Sequence, residues 1–178
     1  MRRRSIYLLP FLALSILSAG ASWSAESSPS WVIVVRPKAD AVKSGALLTI
    51  YIQAINTSDR TIGIRTTSAW YDWDVVVRDS QGNVVPYTKK GLYLSDDKKG
   101  GGPLATVRNF FQVLTPGDGY TDEINVAALY DMRRPGRYFI QVQRENTALI
   151  WVSQGRRPDD DPTHALVKSK TVGVTVTE

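Results

Sequence analysis

Ala46-Leu47-Leu48-Thr49-Ile50-Tyr51-Ile52-Gln53-Ala54-Ile55-Asn56 is the stretch that decides the fold. Leu48, Ile50, Ile52 and Ala54 recur at every second position, and Thr49, Tyr51 and Gln53 fill the places between. Successive side chains of a β-strand point to opposite faces, so this period of two marks a strand with one face in a core. Asn56-Thr57-Ser58-Asp59 follows, and such short polar side chains bond their own backbone in turns. Upstream, Trp31-Val32-Ile33-Val34-Val35 is a β-branched run closed by Pro37, which predicts a first strand.

The same period runs on towards the C-terminus. Thr61 to Thr66 places Ile62 and Ile64 inward. Trp73 to Asp79 puts Trp73, Val75 and Val77 on one face, and Trp73 is expected in the core. Asp79-Ser80-Gln81-Gly82-Asn83 is a turn, and Val84 to Thr88 is expected to return from it as an edge strand, because Pro86 donates no ladder hydrogen bond. Val107 to Leu114 reads as a strand with Phe111 and Val113 on the core face. Thr115-Pro116-Gly117-Asp118-Gly119 turns into a strand over Tyr120 to Val126, and Ala127 to Met132 suits a single helical turn. Pro135-Gly136 then launches Arg137 to Arg144, with Tyr138, Ile140 and Val142 inward. Ala148 to Val152 and Leu166 to Thr177 complete the set, the last carrying Val172, Val174 and Val176 on one face. No amphipathic helix stands out. Short strands at regular spacing with turn signals between them predict an all-β, antiparallel sandwich or barrel, and one sandwich with long loops suits the length.

Composition narrows the class. The chain has 178 residues, 43% hydrophobic and 22% charged, with no Cys and one His. Disulfides, thiolate metal sites and Cys nucleophiles are excluded. Arg2, Arg3 and Arg4 precede an apolar run from Ile6 to Leu17, and Ala19-Gly20-Ala21 has the small-residue form of a signal-peptidase site. A spanning helix needs about 20 apolar residues, so this run is short for an anchor. Residues 1–21 are therefore expected to be a signal peptide cleaved after Ala21, residues 22–30 a flexible lead-in, and residues 31–178 the sandwich. A secreted or periplasmic location follows, with no membrane span after cleavage. Cleavage removes three of the 22 Lys and Arg and none of the 17 Asp and Glu, so the net charge falls from +5 to +2. That leaves little basis for a nucleic-acid footprint.

Catalytic chemistry finds few residues. His164 stands in a polar loop after Asp159-Asp160-Asp161-Pro162-Thr163, with no G-x-S-x-G elbow to partner it, and reads as a solvated residue. One His without Cys does not make the usual zinc site. The Asp159 triplet lacks the spacing of a calcium loop and reads as a solvated charge run. Asp72 and Asp74 are two apart and share a face of a strand. Glycoside hydrolysis by such a pair needs a deep sugar cleft, so they read as solvent-facing. Gly100-Gly101-Gly102 has no following Lys-Ser/Thr and is no phosphate loop. No catalytic, metal or cofactor-binding residue is assigned.

Two segments exceed what the topology needs. Both Lys89 to Thr106 and Ser153 to Thr163 read as solvated or disordered loops, with a binding role as the alternative. Tyr87 and Tyr93 flank Lys89 and Lys90, with Lys98 and Lys99 further along. Exposed aromatics near cations serve protein and glycan surfaces. Tyr87, Lys89, Lys90, Tyr93, Lys98 and Lys99 form the candidate binding surface, and core packing stays open for the two tyrosines.

Two groups of residues carry a resemblance. Ile55-Asn56-Thr57-Ser58-Asp59 followed by Tyr71-Asp72-Trp73-Asp74-Val75-Val76-Val77-Arg78-Asp79-Ser80-Gln81-Gly82 resembles the bacterial intracellular proteinase inhibitor family, an immunoglobulin-like sandwich. Leu114-Thr115-Pro116-Gly117, Tyr130-Asp131 and Pro135-Gly136-Arg137-Tyr138 are similar to immunoglobulin-like modules of secreted bacterial proteins. The resemblance implies an antiparallel immunoglobulin-like β-sandwich as a single domain. In such domains a Tyr near the start of strand F stands two residues before a core Cys. Tyr138 stands two before Ile140, which would fill that place with a hydrophobe. Whether Tyr138 makes a corner or an ordinary strand start is left open. The expected function is non-enzymatic protein binding, partner unknown, through a sheet edge and the 89–106 loop. Protease inhibition and glycan binding are the alternatives.

Overall fold

The computed structural model describes residues 29–100, 110–146, 148–150, 159–160 and 166–178. The expected signal peptide, His164 and most of the 153–163 segment lie outside these.

The first layer is the antiparallel sheet β1 (Trp31–Pro37), β3 (Thr49–Asn56) and β7 (Gly119–Asn125), in the order β1-β3-β7. The second is built on β8 (Gly136–Glu145). Ile140 pairs with both Val77 of β5 (Asp74–Arg78) and Val172 of β12 (Val172–Thr177), so those two strands flank β8 on opposite sides. Gln143 pairs with both Asp74 and Lys168, which puts β11 (Leu166–Lys168) on the β12 side. The expected single last strand is thus broken at Ser169. There the Ser169 N–H donates to Val142 O at 2.8 Å, and the Ser169 hydroxyl accepts from Val142 N–H at 3.0 Å. A side-chain oxygen replaces a ladder carbonyl and keeps the buried backbone paired.

The alternating residues fill the space between the layers. Trp31, Ile33 and Val35 of β1, Ile50, Ile52 and Ala54 of β3, and Ile124 of β7 join Val75, Val77, Tyr138, Ile140, Val142, Val174 and Val176 in one buried cluster. Each fully buried aliphatic side chain stabilises the fold by roughly 1.5–3 kcal/mol relative to an exposed one. Tyr138 makes the corner: its hydroxyl donates to Arg134 O at 2.7 Å, and Ile140 two residues on is fully buried. With this corner, a strand order of two facing layers and β2 (Ala41–Lys43) running alongside β12, the chain is an immunoglobulin-like β-sandwich. The β2–β12 pairing is parallel, the one departure from the expected antiparallel pattern among the described strands.

A smaller sheet extends one end in the order β10-β9-β4-β6, from β4 (Ile62–Thr66), β6 (Phe110–Leu114), β9 (Leu149–Ile150) and β10 (Asp159–Asp160). Asn56 couples it to the first layer. This buried side chain donates to Arg60 O at 2.7 Å and Leu114 O at 3.0 Å, and accepts from the Ser58 N–H and hydroxyl at 2.9 and 2.8 Å. The Asn56-Thr57-Ser58 motif therefore has a structural task, tying β3 to β6 across a turn.

Four expectations are corrected. Lys89–Gly100 is a helix, α2, where a loop was expected. The Thr88 hydroxyl accepts from the Gly91 N–H at 3.1 Å and caps its first turn. Ala69–Asp72 is a short helix, α1, so Asp72 shares no strand face with Asp74. The Asp72 carboxylate accepts from the Thr67 N–H and hydroxyl, each at 2.8 Å. Val84 to Thr88 makes only isolated bridges, Arg78 to Val84 and Tyr87 to Tyr130, in place of a full return strand. Phe111 and Val113 are exposed, because β6 runs out past the sandwich with only Leu114 reaching the core.

Candidate functional site

The expected binding residues divide into two groups around α2. Tyr87, Lys98 and Lys99 line a cleft of about 250 Å³ between α2 and the α1–β5 segment, together with Trp70, Trp73 and Ser95. Lys89, Lys90 and Tyr93 lie exposed on α2 and do not line it. Sequence reasoning missed Trp70 and Ser95 as members of this cleft.

The helix sits this close because position 91 is glycine. A Cβ there would stand 2.1 Å from Leu129 O and 2.9 Å from the Tyr87 ring. Lys98 then fastens the far turn. Its ammonium pairs with Asp74 Oδ1 and donates to Trp70 O and Trp73 O, each at 3.4 Å. An ammonium has three N–H donors, and these three acceptors use them all. Lys98 is thus a strut between α2, α1 and β5, and Lys99 carries the free charge of the cleft wall.

The floor is aromatic. Tyr87 stacks on Tyr130 with ring centroids 4.8 Å apart, and meets Trp70 edge-to-face at 6.4 Å and 83°. The Tyr130 hydroxyl donates to Val75 O, and burial pushes its pKa above the ordinary phenol value. Since Trp70 and Tyr87 cross at a steep angle, they make a corner and no flat platform of the kind a glycan chain lies on. Three buried polar atoms have no hydrogen-bond partner among the described residues: Trp70 Nε1, Tyr71 OH and Asp97 Oδ2. All belong to α1 or α2.

Around Trp73 the opposite holds. This indole is fully buried, meets Trp31 edge-on at 6.2 Å, and donates from Nε1 to Asp122 Oδ2 at 2.6 Å. The Arg144 guanidinium stands 5.2 Å over its ring and donates to the Tyr120 hydroxyl at 3.1 Å and to Arg65 O. Burial raises the Asp122 carboxyl above the usual range, while its bond from Trp73 and the Arg144 charge act the other way.

The sheet edge is a separate surface. β6 pairs with β4 and with no other strand among the described residues. Phe110, Phe111 and Val113 are 56%, 47% and 56% exposed, on both faces of the strand. A second cleft, of about 230 Å³, opens between the Val42–Leu48 loop and Met132.

Among the described residues no group of three or more acidic or His side chains is placed to hold a metal ion, and no helix is long and apolar enough to cross a membrane. No protein-family profile matches the chain, and no curated protein matches it. Among solved structures, the β-glucosidase EmGH1 from Erythrobacter marinus is similar at 15% identity and a TM-score of 0.38, over 83% of this chain. The chain spans 15% of that enzyme's length. The CARDB domain of the PF1109 protein from Pyrococcus furiosus, solved in complex with di-metal ions, is similar at 12% identity and a TM-score of 0.36, over 84% of this chain and 89% of that one. Neither likeness bears on chemistry, and the fold stands on its own strand order and corner.

Proposed function

We propose that this chain is a secreted or periplasmic, non-enzymatic protein-binding domain, and that it takes an extended segment of a partner onto the edge of β6. One observation supports this above the others: Phe110-Phe111-Gln112-Val113-Leu114 is an edge strand among the described residues, with three exposed apolar side chains and no charge. Edge strands present free N–H and C=O groups, and proteins protect them with Lys, Pro or bulges. β6 has none of these. Strand addition supplies main-chain hydrogen bonds for affinity and alternate side-chain contacts for selectivity. Protease inhibition is less favoured, because the segment that would present a rigid loop starts as the helix α2.

The test is a photo-crosslinking residue at Gln112, in cells exporting the protein. A discrete crosslinked partner that disappears on Phe111→Lys supports strand addition. An unchanged crosslinking pattern with Phe111→Lys, in a protein of unaltered melting temperature, would exclude β6 as the working surface.

A further inference from the structure

The cleft under α2 has a chemistry of its own, distinct from the β6 edge. Its lining holds two ammonium groups and one carboxylate. Lys98 is neutralised by Asp74 and has all three donors engaged, so the cation left to a ligand is Lys99. Asp96 and Asp97 do not line it. Ser95 stands one helical turn before Lys99, so both side chains project over the same side of α2. Ser95 is buried and lines the cleft. One O–H donor and one cation, four residues apart, suit an anionic acceptor with two oxygens.

The opposite wall selects the rest of the ligand. Trp70 and Tyr87 cross at 83°, and Val75 and Val76 line the remainder. This is an apolar corner into which one flat ring fits, edge to one aromatic and face to the other. A volume of about 250 Å³ lies below the roughly 300–1,000 Å³ of sites for drug-sized molecules, so the occupant is small.

We propose that the α1–α2 cleft binds a compact aromatic carboxylate, its carboxylate held by the Ser95 hydroxyl and the Lys99 ammonium and its ring seated against Trp70 and Tyr87. Trp70 lines the cleft and reports on its occupancy by fluorescence.

The experiment titrates the protein with three probes: phenylacetate, its neutral analogue phenylacetamide, and acetate. Tryptophan emission and amide chemical shifts of α2 are followed. Saturable binding of phenylacetate at about millimolar concentration is expected, given the few atoms it offers. Phenylacetamide and acetate are each expected to bind at least about tenfold more weakly, the first lacking the charge and the second the ring. Lys99→Gln is exposed and keeps the fold, and is expected to weaken phenylacetate about fivefold, while Lys89→Gln on the same helix outside the cleft changes nothing. Equal binding of acid and amide, no effect of Lys99→Gln, or no saturation by about 20 mM would each overturn the assignment.

Discussion

Trp73 and Trp70 stand three residues apart and live under opposite rules. The Trp73 indole N–H has a carboxylate 2.6 Å away, a second tryptophan at its edge and a guanidinium over its face. The Trp70 N–H is buried beneath a helix and has no acceptor among the described residues. The first sits between two sheets whose backbone groups are paired strand to strand. The second sits where two short helices meet, with Tyr71 and Asp97 also lacking partners. An unpaired buried polar group costs about 1–3 kcal/mol, so the α1–α2 junction is held less firmly than the sandwich it rests on. The sandwich is the scaffold, and the junction is the adaptable part.

The sharpest way to break this contrast is truncation. Trp73→Ala is expected to destabilise the fold by about 3–5 kcal/mol, through the cavity it leaves and the stranded Asp122 carboxylate. Urea denaturation measures this, and a loss comparable to that of Trp70→Ala would erase the distinction. A finer cut keeps the rings. Trp73→Phe removes the donor to Asp122 and is expected to cost about 1–3 kcal/mol beyond its change in volume, whereas Trp70→Phe, which breaks no hydrogen bond, costs less than about 1 kcal/mol. Lys98→Met is expected to leave the melting temperature of the sandwich within a few degrees while amide exchange across residues 91–99 accelerates, since it unties α2 alone. Uniform exchange in that variant and the native protein would mean that other contacts hold the helix.

The smallest effect concerns pH. Burial raises the Asp122 carboxyl above its unfolded value, so the folded state holds its proton longer. That group's contribution is fully present below the unfolded carboxylate value and is lost as pH rises through the raised folded value. Asp122→Asn cannot titrate. The stability of the native protein relative to Asp122→Asn is therefore expected to increase as pH falls through the region just above the ordinary carboxylate range, read as paired melting temperatures. Asp131 and Asp79 are held below the usual range by hydrogen bonds from Arg133 and Asn83 respectively. Both are exposed, and their influence runs in the opposite direction on acidification.

The same contrast explains what the sequence disclosed. In the sandwich, the residue pattern and the burial agree: Ile50, Ile52 and Ala54 of β3, and Tyr138, Ile140 and Val142 of β8, alternate on paper and in space. A strand between two layers has one covered face, and period two reports that face directly. β6 alternates too, yet Phe111 and Val113 are uncovered, since periodicity says which residues share a face and is silent on what lies over it. α2 was invisible for another reason. It rests on the body through Gly91, Leu94, Ser95 and Lys98, and one leucine among four is no apolar stripe. The two signals it does possess are an N-cap at Thr88 and basic residues in its last turn, at Lys98 and Lys99. Trp70 and Ser95 joined the cleft only through that helix, so they were out of reach of pattern alone.

The parallel pairing of β2 with β12 carries a mechanical consequence. Ala41, Val42 and Lys43 lie beside Thr175, Val176 and Thr177, and the Thr175 N–H to Asp40 O and Ser44 N–H to Thr177 O bonds close the two ends at 2.9 and 2.8 Å. Tension drawn backwards through β2 and forwards through β12 acts along both strands in opposite senses. It strains all these rungs together in shear, where an antiparallel pair would unzip one rung at a time. The seam between the first and last parts of the domain is thus oriented to resist being stretched.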